Sequence, residues 1–531
     1  MKRSIIITAA LLFCISVAAQ TVERVYVSTD RNAYIAGDRV WCSLFSFNAD
    51  GALSDGSAVS YLELISADGT AVEAKIGLRE GRGAGSFTLP ASIPSGNYRL
   101  VAYTSTGNVS EAGSRLISVY NPYFTKRVCD GVELCSSWNA VFPDESATGG
   151  LEVRVGDSGE ITLKAAEWMT LSVSICRSDS LQQLPLPFIG DFLSADEPMI
   201  GGAIEFDGEV IRARAIGSRE GTMAFLSSAG SPSDTYIAVV GADGSLSFPT
   251  CNIYGNRELV CEVMDGSETT YISMESPFLH PEAGIIPPLQ LSPAMERALM
   301  DRVEVLRSPL RVDTLATFIP RREDPLFDGL EWTVYNLDDY VRFPSTREVI
   351  QEIVTEARIG TVHGKRAFRL IGQDGVNSRK YFKDNILTMM DGVIISDVNL
   401  ILGFDAMLFD RVELCTQNIV IGRTPFEGII NFVTKNLYVR NLSFPSRVRV
   451  VDFLGVSYPV VYLGDIPSSV PCRRDLLYWN PLMEMEEGES VTLPVSVPSG
   501  PGTWRIVVEG VSEGGLPVGF IVPFVDDAKN Y

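Results

Sequence analysis

Histidine is nearly absent from this sequence of 531 residues. Its two histidines, His280 and His363, lie far apart, and neither accompanies a G-x-S-x-G elbow or another catalytic motif. A zinc site needs three or four ligands at short spacing, which two distant histidines without paired cysteines do not supply. We therefore expect a protein that is not an enzyme and that carries no metal and no cofactor.

Long apolar runs and an excess of basic charge are also lacking. No segment has the about 20 consecutive apolar residues of a membrane-spanning helix. The net charge of −22 argues against nucleic-acid binding, which needs a basic face. The N-terminus instead has two basic residues, an apolar stretch from Ile5 to Val17 and small residues after it. This order is typical of a secretory signal peptide over residues 1–19, so we expect an exported protein with no transmembrane segment in its mature chain.

Cysteine is sparse for an exported chain. Nine cysteines are present, and none forms a C-x-x-C pair. The pairs closest in sequence are Cys129–Cys135 and Cys251–Cys261. Disulfides and single buried thiols are both consistent with these spacings.

The sequence from Thr21 to Asn121 has the pattern of an antiparallel β-sandwich. Runs such as VERVYVSTD and RVWCSLFSF alternate apolar and polar residues, and turn signals such as PSGN separate them. Alternation places Tyr98, Leu100 and Ala102 on one face of a strand. The motifs VYVSTDRNAYIAGDRVW and LPASIPSGNYRLVAYT resemble the second macroglobulin-type domain of bacterial alpha-2-macroglobulins.

Other β-rich segments resemble further parts of the same kind of protein. LSVSICRSD is similar to the strand before the bait segment of macroglobulins, and DLLYWNP with PGTWRIVVEG is similar to the segment after it. The resemblance implies that Leu477–Gly510 packs with strands near Leu151–Cys176. The block between Gly201 and Ser276 resembles a prealbumin-like regulatory sandwich, with a hairpin signal at Ala242–Ser245.

The linker after Phe278 is rich in proline, and Ser292 followed by Pro293 predicts the start of a helix. The apolar side predicted for this helix consists of Met295, Leu299, Val303 and Leu306.

A helix-and-strand region follows the linker, with a turn predicted at Asp391-Gly392. Ser345 and Glu348 form a capping-box pattern at its start. The apolar stripe predicted for the helix consists of Val349, Ile350, Ile353, Val354 and Ala357. The later motifs DGV, VEL and GIINFVTK resemble the plug domain of TonB-dependent receptors. Gln417 and Glu427 replace two glycines of the plug pattern.

A plug closes a barrel, and we expect no barrel in this sequence. About 22 strands of about 10 residues need well over 200 residues, more than follow Asn436 here. We therefore expect the plug-like domain to bind a partner through an exposed edge, in a region that includes Gln417, Arg423 and Glu427. The expected partner is an envelope or outer-membrane protein, met in the periplasm or at the periplasmic face of the outer membrane.

The predicted fold class is mainly β, with several immunoglobulin-like or macroglobulin-like β-sandwiches and one α+β plug-like domain. The predicted domains are a signal peptide (1–19), a macroglobulin-type sandwich (20–121), a second macroglobulin-like β region (122–198), a prealbumin-like sandwich (199–280), a linker with a helix (281–336), the plug-like domain (337–436) and a C-terminal macroglobulin-like β region (437–531).

Two other functions remain open at this point. The first is a protease-interacting macroglobulin remnant in which an exposed segment, Phe278–Arg322, is cleaved as bait. It would lack covalent capture, because the Cys-Gly-Glu-Gln stretch that forms a macroglobulin's thioester does not occur. The second is a hydrolase with an unrecognised site, which needs a pocket that joins a histidine to a nucleophile and an acid.

The signal peptide generates the first testable prediction. We expect exported material to begin after Ala19, because signal peptidase cleaves behind small residues that follow an apolar stretch. N-terminal sequencing of the purified protein measures this directly. A start at Met1 would contradict the prediction, and a start at Cys14 would indicate a lipoprotein instead.

Overall fold

A computed structural model of the chain describes most of the residues after the expected signal peptide. The described residues are 22–123, 131–136, 149–156, 160–181, 184, 188–230, 233–264, 269–308, 315–320, 327, 329–373, 380–421, 424–462, 474–495 and 502–526. Strands make up 50% of the structure and helices 10%. The predicted fold class, mainly β, is therefore confirmed.

The strands follow one another along the whole chain. In the first half they are β1 Glu23–Thr29, β2 Ala33–Ile35, β3 Arg39–Asn48, β4 Val59–Ser66, β5 Gly69–Gly77, β6 Arg82–Thr88, β7 Gly96–Tyr103, β8 Arg115–Tyr120, β9 Val132–Leu134, β10 Leu151–Val155, β11 Ile161–Ala165, β12 Met169–Ser178, β13 Val210–Ile216, β14 Met223–Ser228, β15 Asp234–Val239, β16 Ser245–Pro249, β17 Arg257–Val263 and β18 Tyr271–Met274. In the second half they are β19 Leu289–Leu291, β20 Leu315–Thr317, β21 Thr333–Asn336, β22 Ala357–Val362, β23 Lys365–Gln373, β24 Lys380–Lys383, β25 Ile386–Met390, β26 Val393–Ile394, β27 Phe409–Cys415, β28 Ile419–Ile421, β29 Thr424–Phe426, β30 Gly428–Thr434, β31 Val448–Phe453, β32 Val460–Tyr462, β33 Leu476–Met485, β34 Ser490–Leu493, β35 Gly502–Ser512 and β36 Pro517–Asp526.

Helices are short and few in the part of the chain that the structure describes. They are α1 Ile189–Ser194, α2 Glu296–Arg307, α3 Thr346–Glu348 and α4 Val398–Leu402. A π-helical turn continues α3 over Val349–Ile353. Turns of 3-10 helix occupy Pro293–Met295, Leu337–Asp339, Ala406–Leu408 and Tyr438–Asn441.

The chain divides into two compact units. The first unit comprises Met1–Phe206, His280–Ala316 and Tyr462–Tyr531. The second unit comprises Asp207–Leu279 and Thr317–Val461. The start of the predicted C-terminal region, residues 437–461, thus belongs to the second unit.

The N-terminal part of the first unit is a β-sandwich. One sheet has the strand order β1-β3-β6, and the other has the order β2-β8-β7-β4-β5. The residues predicted to share one face of β7, Tyr98, Leu100 and Ala102, are all buried in its core. Alternation of apolar and polar residues therefore predicted the inner face of this strand correctly.

A second sandwich of the first unit joins segments that lie about 300 residues apart in sequence. Its sheets have the strand orders β33-β12-β35-β36 and β10-β11-β34. Strand β12 pairs on both sides, with Met169 opposite Met485 of β33 and Ile175 opposite Ile506 of β35. The prediction that Leu477–Gly510 packs with the strands near Leu151–Cys176 is therefore confirmed.

A buried carboxylate on β35 ties the two sandwiches of the first unit together. Glu509 accepts hydrogen bonds from the Tyr26 hydroxyl at 2.6 Å and from the Ser28 hydroxyl. The Arg115 guanidinium donates to both oxygens of the same carboxylate, with a distance of 2.7 Å to Oε2. Because all four side chains are buried, the charge of Glu509 is balanced by Arg115 rather than by water.

Helix α2 follows the proline-rich stretch as predicted. The Ser292 hydroxyl accepts from the Ala294 N–H, and Pro293 begins the 3-10 turn that leads into the helix. Met295 is buried, and Leu299, Val303 and Leu306 pack against the same cluster. The stripe predicted for α2 is therefore correct.

The second unit begins with another sandwich. Its sheets have the orders β16-β13-β18 and β15-β14-β17-β31. The hairpin predicted at Ala242–Ser245 is wrong, because β15 and β16 belong to different sheets. The turn residues are those expected, with Gly244 at φ +81°, but the connection crosses from one sheet to the other.

The region of the second unit predicted to be plug-like contains a two-stranded sheet, β28-β29, and two larger sheets that share one core. The larger sheet has the order β21-β27-β30-β25-β26, and the smaller has the order β22-β23-β24. The predicted turn at Asp391-Gly392 joins β25 to β26. A Cβ at Gly392 would lie 2.2 Å from the Ser233 Cβ, and its φ is +81°, so glycine is required there on two counts.

The helix predicted after Ser345 is shorter than expected. The Ser345 hydroxyl accepts from the Glu348 N–H, as the capping pattern predicts. All five residues of the predicted stripe are buried, but the helical turns end at Ile353 and Ala357 already begins β22. A run of β-branched residues, Ile353-Val354-Thr355, disfavours a further helical turn.

The ion pair of Glu509 with Arg115 generates the second prediction. Replacing Glu509→Gln leaves a buried guanidinium without its counter-charge, so we expect a loss of about 3–5 kcal/mol of unfolding free energy. Urea unfolding followed by tryptophan fluorescence measures it, because Trp41, Trp479 and Trp504 are buried in the same unit. The matched control is Glu487→Gln on an exposed turn, which should change the stability by less than about 0.5 kcal/mol. Equal stabilities of the two variants would contradict the prediction.

Candidate interaction surface of the second unit

Gln417 lies on an exposed loop, residues 416–418, between β27 and β28. Its Oε1 accepts a hydrogen bond from the Glu331 N–H at 3.1 Å. Glu331 lies two residues before β21, so the Gln417 side chain fixes the chain that enters this strand. The position predicted for partner binding is therefore exposed and adjoins β21.

Glu427 connects β29 to β30 and is half-buried. Its carboxylate accepts from the N–H groups of Asp384 at 2.9 Å and Asn385 at 3.2 Å. Its own N–H donates to the Asn385 carbonyl at 2.7 Å. This glutamate therefore holds the turn between β24 and β25, a role that the sequence did not reveal.

Lys383, the last residue of β24, links the two predicted positions. Its ammonium donates to the Thr416 carbonyl and, at 2.9 Å, to Asn418 Oδ1. The structure thus brings the loop of Gln417 and the turn held by Glu427 to adjacent residues, Lys383 and Asp384. The third predicted position, Arg423, lies outside the described residues.

Strand β21 is an edge strand of the five-stranded sheet. Among the described residues it pairs with β27 alone, with Thr333 opposite Leu414 and Tyr335 opposite Val412. Thr333, Val334 and Asn336 are exposed, and the Val334 side chain is 47% accessible. The Phe432 carbonyl of β30 accepts from Asp391 on the β25 side, so alternation turns Val412 and Leu414 of β27 toward β21. Their partners Tyr335 and Thr333 therefore face β27, and the N–H and carbonyl of Val334 point away from the sheet. This outward backbone is able to pair with an added strand.

Exposed apolar side chains continue from this edge. Tyr340 is 46% accessible and Val341 is 79% accessible, a few residues after β21 ends. An open edge flanked by accessible apolar side chains is a feature that natural proteins usually protect unless a partner covers it. The sequence did not identify it, because the short strand TVYN carries no signal for its place in the sheet.

The thiol of Cys415, which lies beside Gln417, is poorly suited to act as a nucleophile. Cys415 is buried beside Gln417, and burial raises the pKa of its thiol above the ordinary range. Burial likewise raises the pKa of Cys261 to about 12. Cys251 and Cys261 are both free thiols, and so is Cys135, whose nearest cysteine in sequence, Cys129, lies outside the described residues. Of the two possibilities for Cys251 and Cys261, single thiols are the one found, but Cys261 is buried and Cys251 is exposed.

His363 lies at the exposed tip of the β22–β23 hairpin. Its φ of +48° and that of Gly364, +81°, make the two-residue turn. Two residues with positive φ match the right-handed twist of a tight hairpin, which explains the strand pairing on both sides.

His280 lies in the first unit beside a buried carboxylate. Its Nδ1 is 3.1 Å from Glu63 Oε2 and 3.4 Å from the Thr70 hydroxyl. A nucleophile–histidine–acid relay needs the two partners on different ring nitrogens. Here the acid and the hydroxyl meet the same nitrogen, so this trio is not arranged as a hydrolase site.

The described part of the predicted bait segment is held against the first sandwich. Arg99 donates to the carbonyls of Ala283 and Ile285, each at 2.9 Å. Farther along, the buried Arg302 of α2 donates to the Ala33 carbonyl at 2.9 Å and to Asp179 at 2.7 Å. Between these contacts, residues 281–288 form neither helix nor strand and Ile285 is 88% accessible, so a protease-accessible segment here stays a prediction.

Within the described ranges, no group of three or more His, Cys, Asp or Glu side chains could hold a metal ion. In the same ranges, no helix has both the length and the apolar character needed to cross a membrane.

The comparisons with known proteins give distant similarities only. No protein-family model matches the sequence, and no curated protein is significantly similar to it. Among solved structures, trypsin-activated alpha-2-macroglobulin from Escherichia coli is similar at 10% identity with a TM-score of 0.24, over 95% of this chain and 41% of that one. Methylamine-reacted Salmonella alpha-2-macroglobulin gives 10% identity and a TM-score of 0.24, over 95% and 39%.

Dimeric latent PorU from Porphyromonas gingivalis is similar at 8% identity with a TM-score of 0.17, over 48% of this chain and 33% of that one. The chain spans about two fifths of the length of the macroglobulins that it matches. TM-scores this low do not establish a common fold.

The contacts of Glu427 generate the third prediction. Glu427→Ala removes the acceptor of two backbone N–H groups, so we expect local opening of the β24–β25 turn to become easier by about 1 kcal/mol. Amide hydrogen exchange at Asp384 and Asn385 should accelerate roughly fivefold, with little change elsewhere. The control Glu352→Ala, at an exposed position, should leave these two amides unchanged. Unchanged exchange in the Glu427 variant would contradict the structural role.

Proposed function

We propose that this chain is an exported, non-catalytic binding or scaffolding protein of the bacterial envelope. In this proposal it combines macroglobulin-like sandwiches with a plug-like domain and acts in the periplasm or at the periplasmic face of the outer membrane. This localisation is supported by the signal-peptide pattern of residues 1–19 and by the resemblance of the quoted motifs. Its partner is an envelope or outer-membrane protein.

The open edge of β21 is the observation that carries the proposal. Its outward backbone groups at Val334 supply hydrogen bonds to an added strand, and the exposed loop of Gln417 lies where such a strand would end. Backbone pairing gives affinity without requiring a deep pocket, and side chains such as Tyr340 and Val341 add apolar contact. The plug-like domain therefore serves as a docking module and not as a gate.

Photo-crosslinking in intact cells of the native host tests this proposal. A photoreactive amino acid at Thr333 or at Gln417 should form crosslinks to a soluble or peripheral envelope protein. The same group at Glu220, an exposed turn residue of the second unit, should not capture that protein. Crosslinks only to the lumen of an outer-membrane barrel would overturn the proposal, as would equal yields at Glu220.

A backbone variant tests strand addition itself. Val334→Pro removes the outward N–H and places a ring at the edge, whereas Val334→Ala removes the side chain and keeps the N–H. We expect the crosslinking yield at Thr333 to fall at least about fivefold with proline and to change less than about twofold with alanine, since one backbone hydrogen bond contributes about 1 kcal/mol. Equal yields from the two variants would rule out pairing at this edge.

A further inference from the structure

The smaller sheet of the plug-like region is basic in an acidic protein. Strands β22, β23 and β24 contain six basic residues and no acidic one, although the whole chain has a net charge of −22. The six are Arg358, Lys365, Arg366, Arg369, Lys380 and Lys383. Lys383 is buried and Arg369 pairs with Asp384, whereas Arg358, Lys365 and Arg366 are exposed. These three exposed cations create a positive potential that attracts carboxylates.

One face of this sheet packs into the core and the other faces outward. Ala357 opposite Leu370, and Ile359 opposite Phe368, lie on the inner face. The alternate residues therefore lie on the outer face, where Arg358 is directly opposite Arg369. A separate pair, Val362 opposite Lys365, continues the same face toward the hairpin tip.

The outer face is shaped around Arg369. A Cβ at Gly360 would lie 2.6 Å from the Arg369 Cδ, so the missing side chain of Gly360 lets the arginine lie across β22. The Arg369 guanidinium lies 5.0 Å from the centroid of the Phe382 ring, which is 42% accessible. The same guanidinium also pairs with Asp384. Arg358 and Lys365 are exposed and have no acidic side chain within salt-bridge distance in the described part of the chain.

The backbone of β22 is open along its outer edge. The Ile371 N–H donates to the Glu356 carbonyl, so alternation directs the backbone groups of Ala357, Ile359 and Thr361 away from β23. Those of Ala357 are occupied, because its N–H donates to the Val354 carbonyl and its carbonyl accepts from Arg358. No partner within the described residues occupies the outward groups of Ile359 and Thr361.

We propose that this edge binds an acidic, extended segment of a second polypeptide, which adds to the sheet as a fourth strand beside β22. Its backbone would pair with Ile359 and Thr361. Every second side chain would lie on the outer face, about 7 Å from the next, where carboxylates meet Arg358 and Lys365. This surface is separate from the β21 edge and does not depend on the function proposed above.

The net charge of the chain favours an acidic peptide over an anionic membrane as the ligand of this edge. An anionic membrane surface would meet this small basic sheet but would repel the rest of a chain with a net charge of −22. An acidic peptide avoids that repulsion, because it is small enough to contact the basic sheet alone. It also uses the outward backbone groups of Ile359 and Thr361, which a lipid surface would leave unpaired.

Peptide binding to the full chain tests the proposal. The probe is a fluorescein-labelled octapeptide of alternating glutamate and threonine, and its comparison is the same peptide with lysine in place of glutamate. We expect anisotropy titrations at low salt to give an affinity for the glutamate peptide at least about tenfold higher. Similar affinities for the two peptides would overturn the proposal.

Two kinds of variant separate the charge contribution from the backbone contribution. Arg358→Glu with Lys365→Glu reverses two charges of the outer face and should weaken binding of the glutamate peptide about tenfold or more. Arg347→Glu, an exposed charge reversal elsewhere in the same unit, is the matched control and should leave binding unchanged.

Thr361→Pro tests the backbone contribution, because it removes an outward N–H without touching the pairing to β23. This variant should also weaken binding of the glutamate peptide, whereas Thr361→Val should not.

The same titrations test whether a lipid surface binds this face instead of a peptide. Vesicles of phosphatidylcholine with about a third phosphatidylglycerol should not displace the glutamate peptide. Displacement by these vesicles that is lost in the Arg358 and Lys365 variant would assign the face to a lipid surface and overturn the proposal. Unchanged peptide binding in Thr361→Pro would overturn strand addition.

Discussion

The pairing of β12 with both β33 and β35 is the constraint on which the first unit depends. A strand in the middle of a sheet needs neighbours on both sides, and those of β12 come from the far end of the chain. Closing so long a loop costs entropy that grows only slowly with length, so a large intervening segment is tolerated once the ladder forms. The same pairing places Glu509 of β35 beside Arg115 of β8. The N-terminal sandwich therefore also depends on the pairing of β12.

The second unit is likewise closed by distant segments, since β31 pairs with β17 and Val451 lies opposite Leu259. Two of its edge strands, β21 and β22, are accessible. The two edges differ in chemistry, since apolar side chains flank β21 and basic side chains flank β22. A protein that leaves both open at its surface is suited to hold partners, because backbone pairing is available at each and the flanking side chains select what binds.

The surroundings of two thiols and one histidine are defined within the described residues. The thiols of Cys261 and Cys415 are buried and have raised pKa values, which disfavours the thiolate that nucleophilic chemistry needs. The Nδ1 atom of His280 faces three side chains, Glu63, Thr70 and Glu73. Its surroundings serve instead to attach the chain after residue 280 to the first sandwich, through the hydrogen bond from its N–H to Glu63.

Local signals in the sequence determined much of the fold. Alternation identified the inner face of β7, Ser292 and Ser345 marked helix starts, and Asp391-Gly392 marked a turn that only glycine can complete. These features depend on neighbours in sequence, which a single chain displays. The joining of Leu477–Gly510 to β12 was accessible only through resemblance of motifs.

Only the tertiary structure decided which strands are edges and what each side chain at the candidate surface does. In the sequence, Glu427 is only a residue that replaces a glycine of the plug pattern. In the structure, its carboxylate holds the β24–β25 turn, 42 residues away in sequence. The segment Ala242–Ser245 has hairpin residues but crosses between sheets. The physical reason is common to both: hydrogen bonds between distant segments are set by packing, and neither local propensity nor periodicity encodes them.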